Sequence, residues 1–307
     1  MIHDITDIEK NISELLPKRN EQGEKRDQGC ALIISGSKDM PGAAALCTKA
    51  ALRSGAGLVT LAAPRSIVPI VQAKLSEPVF ISLEKSGKRF NEKCSDRESC
   101  EGCDFLMDRH VPELLKSASY QQQAVAIGPG LGQRQETRTA VRNFVTRCSV
   151  PLVIDADGLN SLTPQELSLI KTPCVLTPHK REFARLFGEL PQDASQIPEF
   201  LAQKAKDYNK TILLKGSPIF IATPDGEIFA VPAANSGLAK GGSGDVLTGI
   251  IVAMLAQGVS AENAAVLGAC LHQKAGEKAR EKFGAFSMLP SDVIECLPQV
   301  FLQAYGS

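Results

Sequence analysis

Four small residues, Gly241-Gly242-Ser243-Gly244, lead into an acid, Asp245, and then into an apolar, helix-compatible run from Val246 to Ala256. Small residues let backbone N–H groups approach a ligand closely. The first N–H groups of a helix lack internal partners, and the helix dipole adds partial positive charge to them. Together these features make an anion site suited to phosphate. A carboxylate in the same turn would sit beside that phosphate and could take a proton from an attacking hydroxyl. The bland alternative is a glycine-rich loop in which Asp245 is an ordinary helix cap. No lysine follows the glycines at P-loop spacing, so a P-loop nucleotide-binding enzyme is not expected.

Five further clusters could do chemistry with it. Ser35-Gly36-Ser37 to Ala43, Gly128-Pro-Gly-Leu-Gly132 and Lys215-Gly216-Ser217 offer backbone for close approach to a ligand. Asp155-Ala-Asp157-Gly-Leu-Asn160 places two carboxylates and an amide where they could orient a ligand or metal, or simply cap a helix. Thr177-Pro-His179-Lys180-Arg181-Glu182 offers a titratable ring, although a lone histidine is often structural. Apart from these five, Cys100-Glu-Gly-Cys103, with Cys94 and His110 nearby, has zinc-knuckle spacing but no second pair, and reads as part of a solvated insertion.

These clusters need a scaffold. Short apolar runs at residues 30–34, 58–63, 124–127, 151–154, 174–176 and 211–214 read as buried strands, and each of the five clusters follows one of them. A small-residue helix from Pro41 to about Ser54 between the first two runs makes a βαβ unit, which implies a mostly parallel sheet covered by helices. Ligands of such sheets bind beyond the strand carboxyl ends, so the five clusters and residues 241–245 are expected to share one crevice. Pro224-Asp225-Gly226 marks a hairpin between residues 218–222 and 227–231, and helices at about 244–257, 260–282 and 290–303 close the chain. Residues 1–28 read as a polar leader that could open with a short amphipathic helix carrying Ile5, Ile8, Ile12, Leu15 and Leu16. Residues 29–307 form a single domain with an insertion at about 84–119 and a possible helix near 111–116.

The chain has 307 residues, 43% apolar and 22% charged, as in an ordinary globular enzyme. A formal net charge of zero points to neither nucleic acid nor an anionic membrane. No apolar run approaches the ~20 residues of a membrane span, and the first residues have no signal-peptide core. The default expectation is a cytoplasmic protein. Of nine cysteines, Cys30, Cys47, Cys148, Cys174, Cys270 and Cys296 sit in apolar surroundings and read as reduced core residues.

Taken in order, Gly42-Ala43 with its helix and Gly55-Ala-Gly57, Gly128-Pro-Gly-Leu-Gly132, Asp155-Ala-Asp157, Thr177-Pro-His179 with Glu182, Leu214-Lys215-Gly216 and Ala239-Lys-Gly-Gly-Ser-Gly-Asp245 resemble the ADP- or ATP-dependent NAD(P)H-hydrate dehydratases of the ribokinase-like superfamily. The resemblance covers roughly residues 30–300. It implies a three-layer α/β/α sandwich with a mostly parallel central sheet. The implied activity is that of a carbon–oxygen lyase, repairing the S form of hydrated NADH or NADPH by phosphorylating the ring hydroxyl and then eliminating phosphate, with ADP giving AMP. By position, Asp245 would be the base. Ala43, Gly130, His179 and Asp245 would meet the hydrate, and Lys215, Gly216, Ser217, Pro218, Ile219 and Gly244 would meet the AMP portion. Glu182 resembles a glutamate that helps organise metal-bound phosphate. ADP (or ATP) is the implied co-substrate, with Mg2+ and without an assigned protein ligand to the metal. A homotetramer is implied by analogy.

The chain departs from the family pattern in three places. Lys180-Arg181 stands where Pro-Gly is usual, Ser243 replaces a threonine, and the segment 84–110 is longer. Bifunctional relatives carry an N-terminal epimerase domain, and a leader this short leads one to expect no epimerase activity. The alternative function is a kinase of the same superfamily acting on a hydroxymethyl-pyrimidine or thiazole vitamin precursor. A non-catalytic nucleotide-binding regulator is disfavoured, because it would have no need of an acid at position 245.

Overall fold

The computed structural model describes residues 2–5, 7–84 and 104–305, and within them the apolar runs form one sheet. Its strands are β1 (Ile2–Asp4), β2 (Cys30–Ile34), β3 (Leu58–Pro64), β4 (Val79–Leu83), β5 (Ala124–Ile127), β6 (Leu152–Ile154), β7 (Cys174–Leu176), β8 (Thr211–Leu214), β9 (Ile219–Ala222) and β10 (Ile228–Val231). The order across the sheet is β1-β10-β9-β8-β7-β6-β5-β2-β3-β4. Pairing is parallel from β8 through to β4, with Leu32 opposite Val125 and Ile154 opposite Leu176. Only the β8–β9–β10 meander is antiparallel, and its second turn is the Pro224-Asp225-Gly226 hairpin, closed by Gly226 N–H donating to Thr223 O at 2.9 Å.

The helices are α1 (Ile8–Leu15), α2 (Pro41–Arg53), α3 (Val68–Gln72), α4 (Val111–Gln121), α5 (Gln135–Val145), α6 (Asp157–Asn160), α7 (Pro164–Leu169), α8 (Lys180–Phe187), α9 (Ile197–Tyr208), α10 (Ser243–Ala256), α11 (Ala261–Ser287, broken at Gly284) and α12 (Pro290–Tyr305). Successive strand side chains point to opposite faces. In β2, Ala31 and Ile33 enter one core with residues of α1, α2, α10, α11 and α12, whereas Leu32 and Ile34 enter a second with α4, α5, α7, α8 and α9. Both strand faces are covered, which is why these strands read as continuous apolar runs rather than alternating ones. The result is the three-layer α/β/α sandwich anticipated above.

α10 is apolar all round and buried along its length, wedged between the sheet, α2 and α11. A helix of that composition belongs inside a protein, and its burial fixes where its polar first turn must emerge.

Two expectations need adjustment. The stretch set apart as a polar leader contributes to the sheet and the core: β1 pairs in parallel with β10, and α1 packs on α11 with Ile12 buried. In the insertion, α4 occupies residues 111–121. Cys94, Cys100 and Cys103 lie outside the described residues. His110 is engaged structurally, its Nδ1 accepting from Met107 N–H at 3.1 Å and its Nε2 lying 2.8 Å from Glu84 O. The six apolar-context cysteines are buried and unpaired with one another.

Candidate active site

Asp245 is the third residue of α10, so the buried helix carries its carboxylate to the carboxyl edge of the sheet. Gly242 precedes the helix at φ +97°, a left-handed conformation that costs a side-chain-bearing residue, and a Cβ there would stand 2.7 Å from Leu46 Cδ1. No side chain caps this first turn; Ser243 N–H donates to Lys240 O at 3.2 Å, and the N–H groups of Gly244 and Asp245 are left to an anion. Ser243 and Gly244 complete the turn. A methyl group at Gly244 would lie 3.4 Å from Lys215 Nζ, so the glycine run faces the end of β8.

Opposite it, the ends of β6 and β8 form one ion pair. Lys215 Nζ donates to Asp155 Oδ1 at 2.7 Å, and Thr248, one helical turn beyond Asp245 on the same face, donates its hydroxyl to Asp155 Oδ2 at 2.7 Å. Asp155 is thus held on both oxygens, with only 1% of its surface exposed. A buried ion pair needs such additional hydrogen bonds to offset desolvation. Burial works against the Lys215 charge, but Asp155, Glu182 and Asp245 prevail and raise its pKa. Burial, with the Asp155 charge adding to it and Lys215 opposing, pushes Asp245 up to about 6. A carboxylate with that pKa is ionised at neutral pH yet more basic than usual, the property wanted in a general base.

Asp157 turns the other way. Its Oδ2 accepts from Gly132 N–H at 2.9 Å and its Oδ1 from Gln133 Nε2 at 3.3 Å, which ties the glycine loop after β5 to the end of β6. The residue between the two acids, Ala156, has φ 48° and ψ −119°, a region that residues with a Cβ rarely occupy. That kink sends Asp155 to Lys215 and Asp157 to the loop.

Ala43, third residue of α2, meets Gly130: a Cβ at Gly130 would lie 2.7 Å from that of Ala43. The loop after β2 holds this junction, with Ser35 Oγ and Gly36 N–H both donating to Pro129 O, at 2.7 and 2.9 Å. His179 is the N-cap of α8. Its Nδ1 accepts from the N–H groups of Arg181 and Glu182 at 3.1 and 3.2 Å, while Glu182 Oε2 accepts from His179 N–H at 2.9 Å. This reciprocal box fixes the ring, and its Nε2 lies 3.4 Å from the other Glu182 oxygen, Oε1. Burial pushes Glu182 upward, with Lys215 opposing.

A cavity of about 840 Å³ opens between β8, the stretch after β10, α10 and α11. Of the residues singled out from sequence, His179, Lys215, Gly216, Ser217, Ile219 and Gly244 line it. Pro218, joined to Ser217 by a cis peptide, and Asp245, which follows Gly244, are not among its lining residues. Ala43 and Gly130 form a separate contact outside this cavity. The two lie along the same sheet edge, linked by the Asp157 bond to Gly132 N–H and by Gly244, which faces Lys215 and Asp155.

Sequence reasoning counted Asn235 and Thr248 within the stretch around the glycine run without giving either a role, and it passed over His272. Thr248 could have been found as the i+3 neighbour of Asp245. Asn235 opens an Asx turn, its Oδ1 accepting from Gly237 N–H at 3.0 Å, which Asn-Ser-Gly signals. His272 sits in an unbroken helical pattern that gives no sign of its role.

The family model described as NAD(P)H-hydrate dehydratase matches residues 31–299. The chain is 38% identical over 291 residues to a bifunctional NAD(P)H-hydrate repair enzyme of Moorella thermoacetica, covering 93% of this chain and 51% of that protein, so it spans about half that relative's length. It is 30% identical over 295 residues to the ADP-dependent (S)-NAD(P)H-hydrate dehydratase of Bacillus subtilis, covering 95% and 96% of the two chains. A crystal structure of a B. subtilis ADP/ATP-dependent NAD(P)H-hydrate dehydratase, co-crystallised with ATP/Mg2+, superposes with a TM-score of 0.77 over 96% of this chain and 97% of that one, at 30% identity. A ribokinase-like superfamily protein of Enterococcus faecalis shares the fold with a TM-score of 0.78 at 23% identity, over 99% and 96%. No helix among the described residues is long and apolar enough to cross a membrane.

Proposed function

The chain belongs to the NAD(P)H-hydrate dehydratase family, and on that premise we propose that it is an ADP-dependent (S)-NAD(P)H-hydrate dehydratase that returns hydrated NADH or NADPH to the reduced coenzyme. Support comes above all from one arrangement: a carboxylate of raised pKa in the first turn of a buried helix, behind an uncapped glycine run and across from the Lys215–Asp155 pair.

Asp245 takes the proton of the ring hydroxyl, and the oxygen attacks the terminal phosphorus of ADP while the bond to AMP breaks. The N–H groups of the first turn of α10 and the Lys215 ammonium stabilise charge on the transferring group. Hydroxide is a poor leaving group and phosphate a good one. The ring nitrogen expels phosphate, and loss of a neighbouring ring proton restores the double bond. Ala43 and Gly130, packed without spare volume, shape the hydrate side. His179, a residue of the cavity wall, also meets the hydrate, and Lys215, Gly216, Ser217, Pro218, Ile219 and Gly244 form the AMP side.

Mg2+ sites use one or two carboxylates with phosphate oxygens and water. The donor set fits that pattern, with Glu182 offering one carboxylate in the first turn of α8 and the nucleotide supplying the phosphate oxygens. Glu182 is the acid that would help hold a cation arriving with the nucleotide, and the cation would neutralise phosphate charge there; Asp155 is already committed to Lys215 and Thr248. A cytoplasmic location and a homotetramer complete the proposal, the latter checked by light scattering.

The direct test is recovery of reduced-nicotinamide absorbance from acid-treated NADH with ADP and magnesium. Asp245→Asn should bind ADP and the hydrate yet turn over at least about a hundredfold more slowly. Near-normal turnover in that variant would remove Asp245 from its role, and formation of a phosphorylated hydroxymethylpyrimidine by the wild type would favour the vitamin-kinase alternative.

A further inference from the structure

One side chain in the nucleotide-sized cavity has a polar atom with no partner and a second atom tied to the phosphoryl loop. His272, on α11, has only 5% of its surface exposed. Its Nε2 lies 3.2 Å from Ser243 Oγ, the first side chain of α10, and its Nδ1 is buried without a hydrogen-bond partner. Both residues line the cavity. Among the described residues one other unpartnered buried atom belongs to a residue of this wall, Asn235 Nδ2, whose amide oxygen is already held by Gly237 N–H. Unpaired buried polar atoms are costly and are usually completed by something, and here both belong to side chains whose residues line one cavity.

We propose that His272 is a positioning residue that couples occupancy of the nucleotide cavity to the phosphoryl loop: a hydroxyl or amino group of the bound nucleoside donates to Nδ1, and Nε2–H in turn fixes the Ser243 hydroxyl. The inference rests on the nucleotide-dependent reaction proposed above. A neutral imidazole has one donor and one acceptor nitrogen, so what one side receives decides what the other gives. Burial, reinforced by the nearby Lys215 charge, pushes His272 down to about 4, so the ring is neutral at working pH. When Nδ1 accepts, the ring proton sits on Nε2 and is donated to Ser243 Oγ. The hydroxyl's own proton is then free to point at a phosphoryl oxygen. With the cavity empty, nothing selects the tautomer. Asn235 Nδ2 supplies the matching donor, so the wall offers a nucleoside one acceptor and one donor.

Two isosteres separate the halves of this coupling. His272→Gln keeps a polar atom near the Nε2 position and loses Nδ1, and His272→Asn does the reverse. With ADP affinity read by calorimetry and kcat read on acid-treated NADH, His272→Gln should weaken ADP about tenfold with kcat within about twofold, and His272→Asn should lower kcat about tenfold with ADP affinity within about twofold. Parallel loss of both quantities in both variants, or no change in either, overturns the coupling. Among 2′-deoxy-ADP, 3′-deoxy-ADP and inosine diphosphate, each lacking one candidate donor, one should bind the wild type as weakly as His272→Gln binds ADP. Indifference to all three is a second way to lose the proposal. Should the variants not fold, nitrogen NMR of the unmodified protein's histidine rings decides: ADP alone must shift the Nδ1 signal of one neutral ring, and an unchanged spectrum overturns the assignment. Wild-type protein that binds ADP with this signature but never restores reduced nicotinamide would fail the dehydratase proposal and leave the contact to His272 standing.

Discussion

At Asp245 the folded protein keeps a carboxylate where burial and the charges of Asp155 and Asp157 oppose its ionisation. Its pKa is raised to about 6, so between about pH 4 and 6 the folded state holds a proton that the unfolded chain releases. Stability is fully supported below that window and declines as pH rises through it, by an amount on the order of 2 kcal/mol. Asp245→Asn should therefore melt a few degrees higher than wild type at pH 8 and nearly with it at pH 4, as scanning calorimetry would read. The same ionisation should govern kcat/KM, which is expected to climb with pH and level off above about 6. A limb near pH 4 would mean that the base titrates as an ordinary carboxylate. Ala156 carries a related tension in its backbone. At φ 48°, Ala156→Gly should relieve strain and stabilise by about 1 kcal/mol in chemical denaturation, while loosening the opposed aim of Asp155 and Asp157 and lowering kcat. Residues of this kind were partly legible in the sequence. Glycines and acids at strand ends announce a site, but that Asp155 would be clamped by Lys215 and Thr248 depends on three segments meeting, and residue types alone do not encode that meeting.

Among the elements, α10 is the one whose displacement would reach the site. Gly249, midway along it, packs so tightly on α2 that a Cβ would collide with Cys47 O and stand 2.8 Å from Ala50 Cβ. Gly249→Ala should push the two helices apart and destabilise by about 1–3 kcal/mol in urea. Because Ala43 rides on α2 and Asp245 on α10, the variant should also lose activity out of proportion to its folded fraction, measured under conditions where it remains native. The helix itself was plain from its uninterrupted apolar run, and so were the parallel strands. β1 was not: Ile2-His3-Asp4 has neither length nor alternation, and it is a strand only because β10 offers an edge to pair with. His272 stayed hidden for a similar reason, since it becomes distinctive only once α11 is laid against Ser243.

For the molecule as a whole, stability is divided between two cores separated by the sheet, and the first residues help to hold one of them. Ile12 of α1 is almost fully buried beside α11. Ile12→Ala should cost about 2–4 kcal/mol in denaturant unfolding while leaving the kinetic constants of the folded enzyme close to wild type. A cost below about 0.5 kcal/mol would return this stretch to the status of a detachable leader.

The pairing of β1 with β10 has a consequence for how the chain is made. Ile2 is synthesised well before its partner Ile228, which follows only after a delay on the order of tens of seconds at ordinary translation speeds. Throughout that interval the nascent edge has no mate. Its brevity and its polar His3 and Asp4 keep it a poor template for stray pairing, so the fold can leave this seam to be closed late in synthesis without exposing a sticky ribbon in the meantime.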